Sequence, residues 1–243
     1  MMRRNPTVMK STMRLSLLVI LISQLACGAK VSDVLTKYQG DFQKKREQFQ
    51  TIARALPAKA TEKPCAGLNP PIEFNDNTKR HNTEVLMFEQ LLDPDAKPQF
   101  EMNLNRDLLF AIQWTGPKNP LSPSALNNSG SNMEKNLKAA LDYRYLVVSR
   151  VLDLKESTAV NEHTYTPGRV TLDVFVVNLA NNQTVCSFSL QAQSAAETSY
   201  YYKKDESKQE RLEAFAHSSM WQDARQKLIA GLKKVASADI QIK

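Results

Sequence analysis

Histidine, glycine and cysteine are all sparse in this 243-residue chain, which holds three, seven and three of them. Each shortage removes a class of chemistry. No glycine-rich loop is present to cradle a phosphate, and no GxSxG elbow to raise a serine nucleophile. His81, His163 and His217 are the whole histidine set, and none sits in an HExxH pair that could hold zinc. The cysteines form no CxxC. Cys65 and Cys186 stand far apart with no histidine close by, so a tetrahedral metal site is not expected. The apolar run Leu15–Ile22 falls well short of the roughly 20 residues that cross a bilayer. No internal repeat is visible. No cofactor and no metal are expected, and the reading leans away from an enzyme.

What is present begins with an address. Arg3, Arg4, Lys10 and Arg14 form a basic region without an acid, Leu15–Ile22 follows as an apolar region, and Ser23–Ala29 supplies small residues for cleavage. That is the physical pattern of a secretory signal. Leu25-Ala26-Cys27 resembles the lipobox of bacterial lipoproteins, although Gln24 stands where an aliphatic residue is usual. The resemblance covers the targeting segment only. It implies a mature chain that begins at a lipidated Cys27 and is anchored in a membrane, facing the periplasm. Cleavage after Ala26 or Ala29 gives the other reading, a soluble secreted protein. The chain divides into a signal at residues 1–26, an amino-terminal helix or spacer at 27–57, and a single domain at 58–243.

Export changes the charge. Loss of residues 1–26 removes four basic residues and no acid, so the formal charge drops from +7 to +3. A phosphate-tracking surface needs a concentrated basic patch, and no nucleic-acid partner is expected. Lys44-Lys45-Arg46 and Lys203-Lys204 read as solvated faces. An exported chain also sits where disulfides persist. With Cys27 lipidated, Cys65 and Cys186 are the one pair left to bridge; two free thiols in the core are the alternative.

The rest of the chain, 42 % hydrophobic and 23 % charged overall, has the composition of a globule. The pattern predicts an α+β fold: an antiparallel sheet of three to five strands with helices packed on it, preceded by an amino-terminal helix. Val31, Leu35, Tyr38, Phe42, Phe49, Ile52 and Leu56 make a heptad-like seam interrupted at Lys45, ended by Pro57. It reads as a helix on the domain or as a spacer near the membrane. A short helix over Thr83–Leu92, capped by Asn82, is expected next. Phe100, Met102 and Leu104 alternate as in a strand. Asp107–Trp114 has no clear period and is read as a core strand. Residues 116–131 form a loop. Ser131 and Glu134 suggest a capping box for a helix carrying Met133, Leu137, Ala140 and Leu141. Tyr145–Leu154, Val170–Val177 and Thr184–Ala192 read as strands, the last two joined by a turn at Asn181-Asn182. A final helix runs from Ser207 to Ala236 with one apolar stripe, and Ile240-Gln241-Ile242 could add a strand or fray.

Functional hints are scattered. His163 lies in the loop between the first two of these strands with Glu162 beside it, and a His–Glu pair can shuttle a proton or ligate a metal; a solvated loop is the plain alternative. Asp153 and Asp173 sit on adjacent strands, where two carboxylates across a cleft would suit glycoside work. His217 adjoins Ser218 and Ser219, but helix neighbours point about 100° apart and make no dyad. Tyr200, Tyr201, Tyr202, Lys203 and Lys204 form the densest aromatic and basic run, a candidate interaction surface for an envelope protein or glycan. The expectation is a non-enzymatic binding or assembly module of the cell envelope. An envelope-acting hydrolase with a dispersed site is the alternative.

Overall fold

The computed structural model describes residues 29–65, 68–73, 81–100, 106–196 and 207–236. Its elements in chain order are α1 (Val31–Ala55), β1 (Thr83–Met87), α2 (Phe88–Leu92), α3 (Asp107–Trp114), α4 (Pro123–Leu126), α5 (Ser131–Leu141), β2 (Tyr145–Lys155), β3 (Thr158–Ala159), β4 (Tyr165–Thr166), β5 (Arg169–Asn178), β6 (Gln183–Gln193) and α6 (Lys208–Ala236). Four strands form one sheet in the order β1-β2-β5-β6, and β3 with β4 make a separate two-stranded ladder. The α+β fold with helices packed on a sheet is therefore present.

The three long strands arise where strand runs are read from the sequence, β5 and β6 by alternation and β2 as a run apolar on both faces in its middle. Side chains of a strand point to opposite faces with a period of two. Tyr145 and Val147 accordingly join one core, and Leu146 and Val148 the other. On β5, Val170, Leu172, Val174 and Val176 face the first core while Phe175 and Val177 face the second. Both faces are covered by helix. The β5–β6 hairpin closes at Asn182, whose φ of 60° is the left-handed conformation that asparagine tolerates better than most residues.

One face is covered by α6, through Met220, Ala224, Leu228, Leu232 and Val235, together with Ile72 and Phe100 from the connecting segments. The opposite face carries α1, α2, α3 and α5. Eight residues of α1 are buried, including Phe42 and Phe49, and each such aromatic contributes about 1.5–3 kcal/mol of transfer free energy. The amino-terminal helix therefore packs on the sheet rather than standing off as a spacer. Lys45, at the break in its seam, is half-buried, and burial followed by the nearby Arg144 lowers its pKa.

Several sequence expectations need correction. The helix expected over Thr83–Leu92 is a strand followed by one turn of helix: β1 is buried at all five positions. A strand buried on both faces shows no alternation, and its spacing mimics a helical one. Asn82 caps nothing. It binds the chain before β1, its Oδ1 accepting from Glu73 N–H and its Nδ2 donating to the Pro71 carbonyl. β1 runs parallel to β2, so the sheet is mixed rather than antiparallel. The helices between β1 and β2 supply the crossover that a parallel pair requires.

Asp107–Trp114 is a helix, with Leu108, Leu109, Ala111 and Ile112 buried. The stretch read as a loop at 116–131 holds the short α4, capped by Ser122, whose Oγ accepts from Ala125 N–H. Ser131 is the first residue of α5 and not its cap; that place belongs to Gly130. A side chain at Gly130 would meet Val34 Cγ2 at 2.5 Å, so the bare backbone lets α1 and α5 approach. Glu134 turns to Lys37, Tyr38 and Lys138 instead of closing a capping box. The alternating run after Phe100 and the terminal Ile240–Ile242 lie outside the described residues. Phe100 itself is buried against Trp221.

Candidate functional site

The sequence-predicted site residues separate into three groups. Cys27 and the run Tyr200, Tyr201, Tyr202, Lys203 and Lys204 lie outside the described residues. Cys65 and Cys186 form a disulfide with Cα atoms 4.6 Å apart and a sequence separation of 121. The bridge pins the irregular segment after α1 along the edge of β6. There Lys63 N–H donates to the Ser187 carbonyl, Ser187 Oγ donates to the Thr61 carbonyl, and Cys65 N–H donates to Val235 at the end of α6.

The acids and histidines of interest are not brought together. His163 is exposed in the turn between β3 and β4, where its backbone N–H donates to Asn161 Oδ1. Its neighbour Glu162 turns to Lys208 at 2.9 Å. Asp153 is exposed and pairs with Arg169. Asp173 is buried and fully engaged, accepting from Ser189 Oγ, Ala60 N–H and Arg150. In the register of the sheet Asp173 faces Arg150 and Asp153 faces Thr171, so the two carboxylates do not flank a cleft. His217 lies 3.6 Å from Glu156. Its Nε2 accepts from Trp221 Nε1–H at 3.0 Å, which occupies the lone pair a general base would need.

A different place has the form of a site. Between α3 and α5 runs a groove of about 520 Å³, within the roughly 300–1,000 Å³ of small-ligand clefts. Helical spacing builds its walls. Asp107, Ala111 and Trp114 come from one face of α3, and Asn132, Lys135, Asn136 and Ala139 from the facing side of α5. Ala111, Ala139 and the buried Leu137 also line it, and His81 joins from the segment before β1. The Asp107 carboxylate accepts from Tyr143 O–H at 3.3 Å. The residues offer one flat ring, one carboxylate, one ammonium, one imidazole and two amides.

The groove is held from below by Glu84 on β1, which is fully buried. Its Oε1 accepts from Leu109 N–H at 2.9 Å and its Oε2 from Leu108 N–H at 3.1 Å. The first turn of an α-helix leaves N–H groups without partners, and a carboxylate from the neighbouring strand takes two of them. Burial pushes the Glu84 carboxyl up to about 8, against those two N–H groups, which pull it down. Glu84 thus positions α3, and with it the Asp107–Trp114 wall.

Sequence reasoning missed this groove because α3 was read as a strand, which puts Asp107 and Trp114 on opposite faces. A helical period over Asp107–Trp114 is the signal that places them together. Among the described residues no three His, Cys, Asp or Glu side chains are grouped to hold a metal. None of the described helices is long and apolar enough to cross a membrane. No protein-family model matches the chain, and no curated protein matches it significantly.

Proposed function

We propose that the chain is an exported binding module of the cell envelope that takes a small polar ligand in the groove between α3 and α5. The groove itself carries the reading. Its lining supplies stacking and hydrogen-bonding groups from two rigid helices, which is the make-up of a recognition surface. Export is supported by the signal-like first 26 residues and by a disulfide of the kind that persists outside the cytosol. Binding is preferred over the envelope-acting hydrolase because the approach of His217 to Glu156 has its histidine nitrogen engaged by Trp221.

The reading is tested by fractionating the producing cells and weighing the intact chain. The expected result is recovery in the envelope or medium, with an amino terminus at a lipidated Cys27 or just after Ala26 or Ala29. Recovery from the cytosol with Met1 still attached would overturn it.

A further inference from the structure

Resting on the groove as a ligand site, we propose that its ligand is a saccharide carrying an anionic substituent. A sugar ring presents an apolar C–H face and a rim of hydroxyls that both donate and accept. Trp114 lines the groove half-exposed, with its ring stacked on Phe110, and aromatic rings favour stacking on such a C–H face. Asn132 and Asn136 each combine an acceptor with two donors, which matches hydroxyls, whereas the Asp107 carboxylate only accepts. Tyr143 O–H fixes the orientation of that carboxylate.

Lys135 decides the substituent. An ammonium donates three hydrogen bonds and accepts none, so its complement is a carboxylate or phosphate on the ring. Peptide recognition fits the groove less well. Two helices offer no strand edge for a further strand, and Ala111, Leu137 and Ala139 in the lining do not make the spaced row of large apolar pockets that a helix needs.

The test uses the full-length chain with Trp221→Phe, which leaves Trp114 as its sole tryptophan, since the sequence has two. Trp114 emission and the amide spectrum are followed during titration with glucuronic acid, glucose and acetate. Glucuronic acid is expected to give a saturable millimolar response, glucose a response roughly three-fold weaker, and acetate none, since an exposed ion pair contributes little. Lys135→Ala should bring glucuronic acid down to the glucose value, and Asn136→Ala should weaken both sugars. Both side chains are exposed, so neither change threatens folding. Acetate matching glucuronic acid would overturn the saccharide assignment and leave the groove as an anion site. Silence of Trp114 and of the groove amides towards both sugars, in a chain whose spectrum is that of the folded protein, would also overturn it. Neither outcome bears on export, which is read separately from the amino terminus.

Discussion

A carboxylate buried beneath the first turn of α3 ties this protein's stability to pH. The Glu84 pKa rises from 4.5 to about 8 in the folded chain through burial. Between those values the folded state keeps a proton that the unfolded chain has lost. The contribution is therefore complete below about pH 4.5 and disappears as pH rises through about 8. The slope of this single group reaches about 1.4 kcal/mol per pH unit. Glu84→Gln cannot ionise and retains an oxygen for one N–H, so denaturation midpoints measured from pH 5 to 8 should flatten in the variant; an unchanged slope would remove Glu84 as the cause. Glu134 acts in the opposite sense. Hydrogen bonds from Lys37 and Lys138 hold its pKa down to about 2, so its contribution is present above the unfolded value of 4.5 and is lost as pH falls towards 2. None of this is legible in the sequence, where Glu84 reads as one more charge on an amphipathic helix.

At the level of elements, α6 shows how a local rule yields to packing. Glycine inside a helix costs about 1 kcal/mol relative to alanine, and Gly231 sits well within α6. A Cβ there would stand 2.2 Å from Phe188 Cε2 on β6. The missing side chain lets the helix lie close on the sheet. Gly231→Ala should therefore destabilise the protein by about 1–3 kcal/mol through overpacking, although propensity alone predicts a gain. Urea denaturation decides between them, since a raised midpoint would show that the Phe188 ring yields freely. The elements that the sequence reveals are those with one buried face: α1, α5, α6, β5 and β6 all carry a visible period. β2 shows as a run apolar on both sides. β1 escapes because it is short and buried on both faces, Thr83 and Glu84 included, and α3 because eight residues such as Asp107–Trp114 satisfy either period.

Across the whole molecule, the disulfide joins the chain that leaves α1 to the fourth strand of the sheet, closing a loop over a separation of 121 residues. Cross-linking so long a loop restricts the unfolded chain strongly, and loss of such a bridge typically costs roughly 2–5 kcal/mol. Replacing Cys65 and Cys186 together by serine should lower the thermal midpoint and free the 57–65 segment for proteolysis. Peptide maps of oxidised protein, with and without reductant, check the bridge directly, and two free thiols would rule it out. The bridge, the Lys63–Ser187 pairing and the Glu62–Lys234 ion pair lie together along the β6 edge. This covering protects an edge strand from pairing with other chains.

By itself the sequence determined the three long strands, the hairpin turn and the two long helices, because each is encoded in neighbours along the chain. It also offered Cys65 with Cys186 as the one pair to bridge on the condition that Cys27 is lipidated. Tertiary structure alone decided that β1 exists and runs parallel to β2, that Glu84 anchors α3, and that α3 and α5 face each other across an open groove. These depend on residues distant in sequence that meet only when both faces of the sheet are covered, and burial on both sides erases the periodic signal by which a strand or short helix is read.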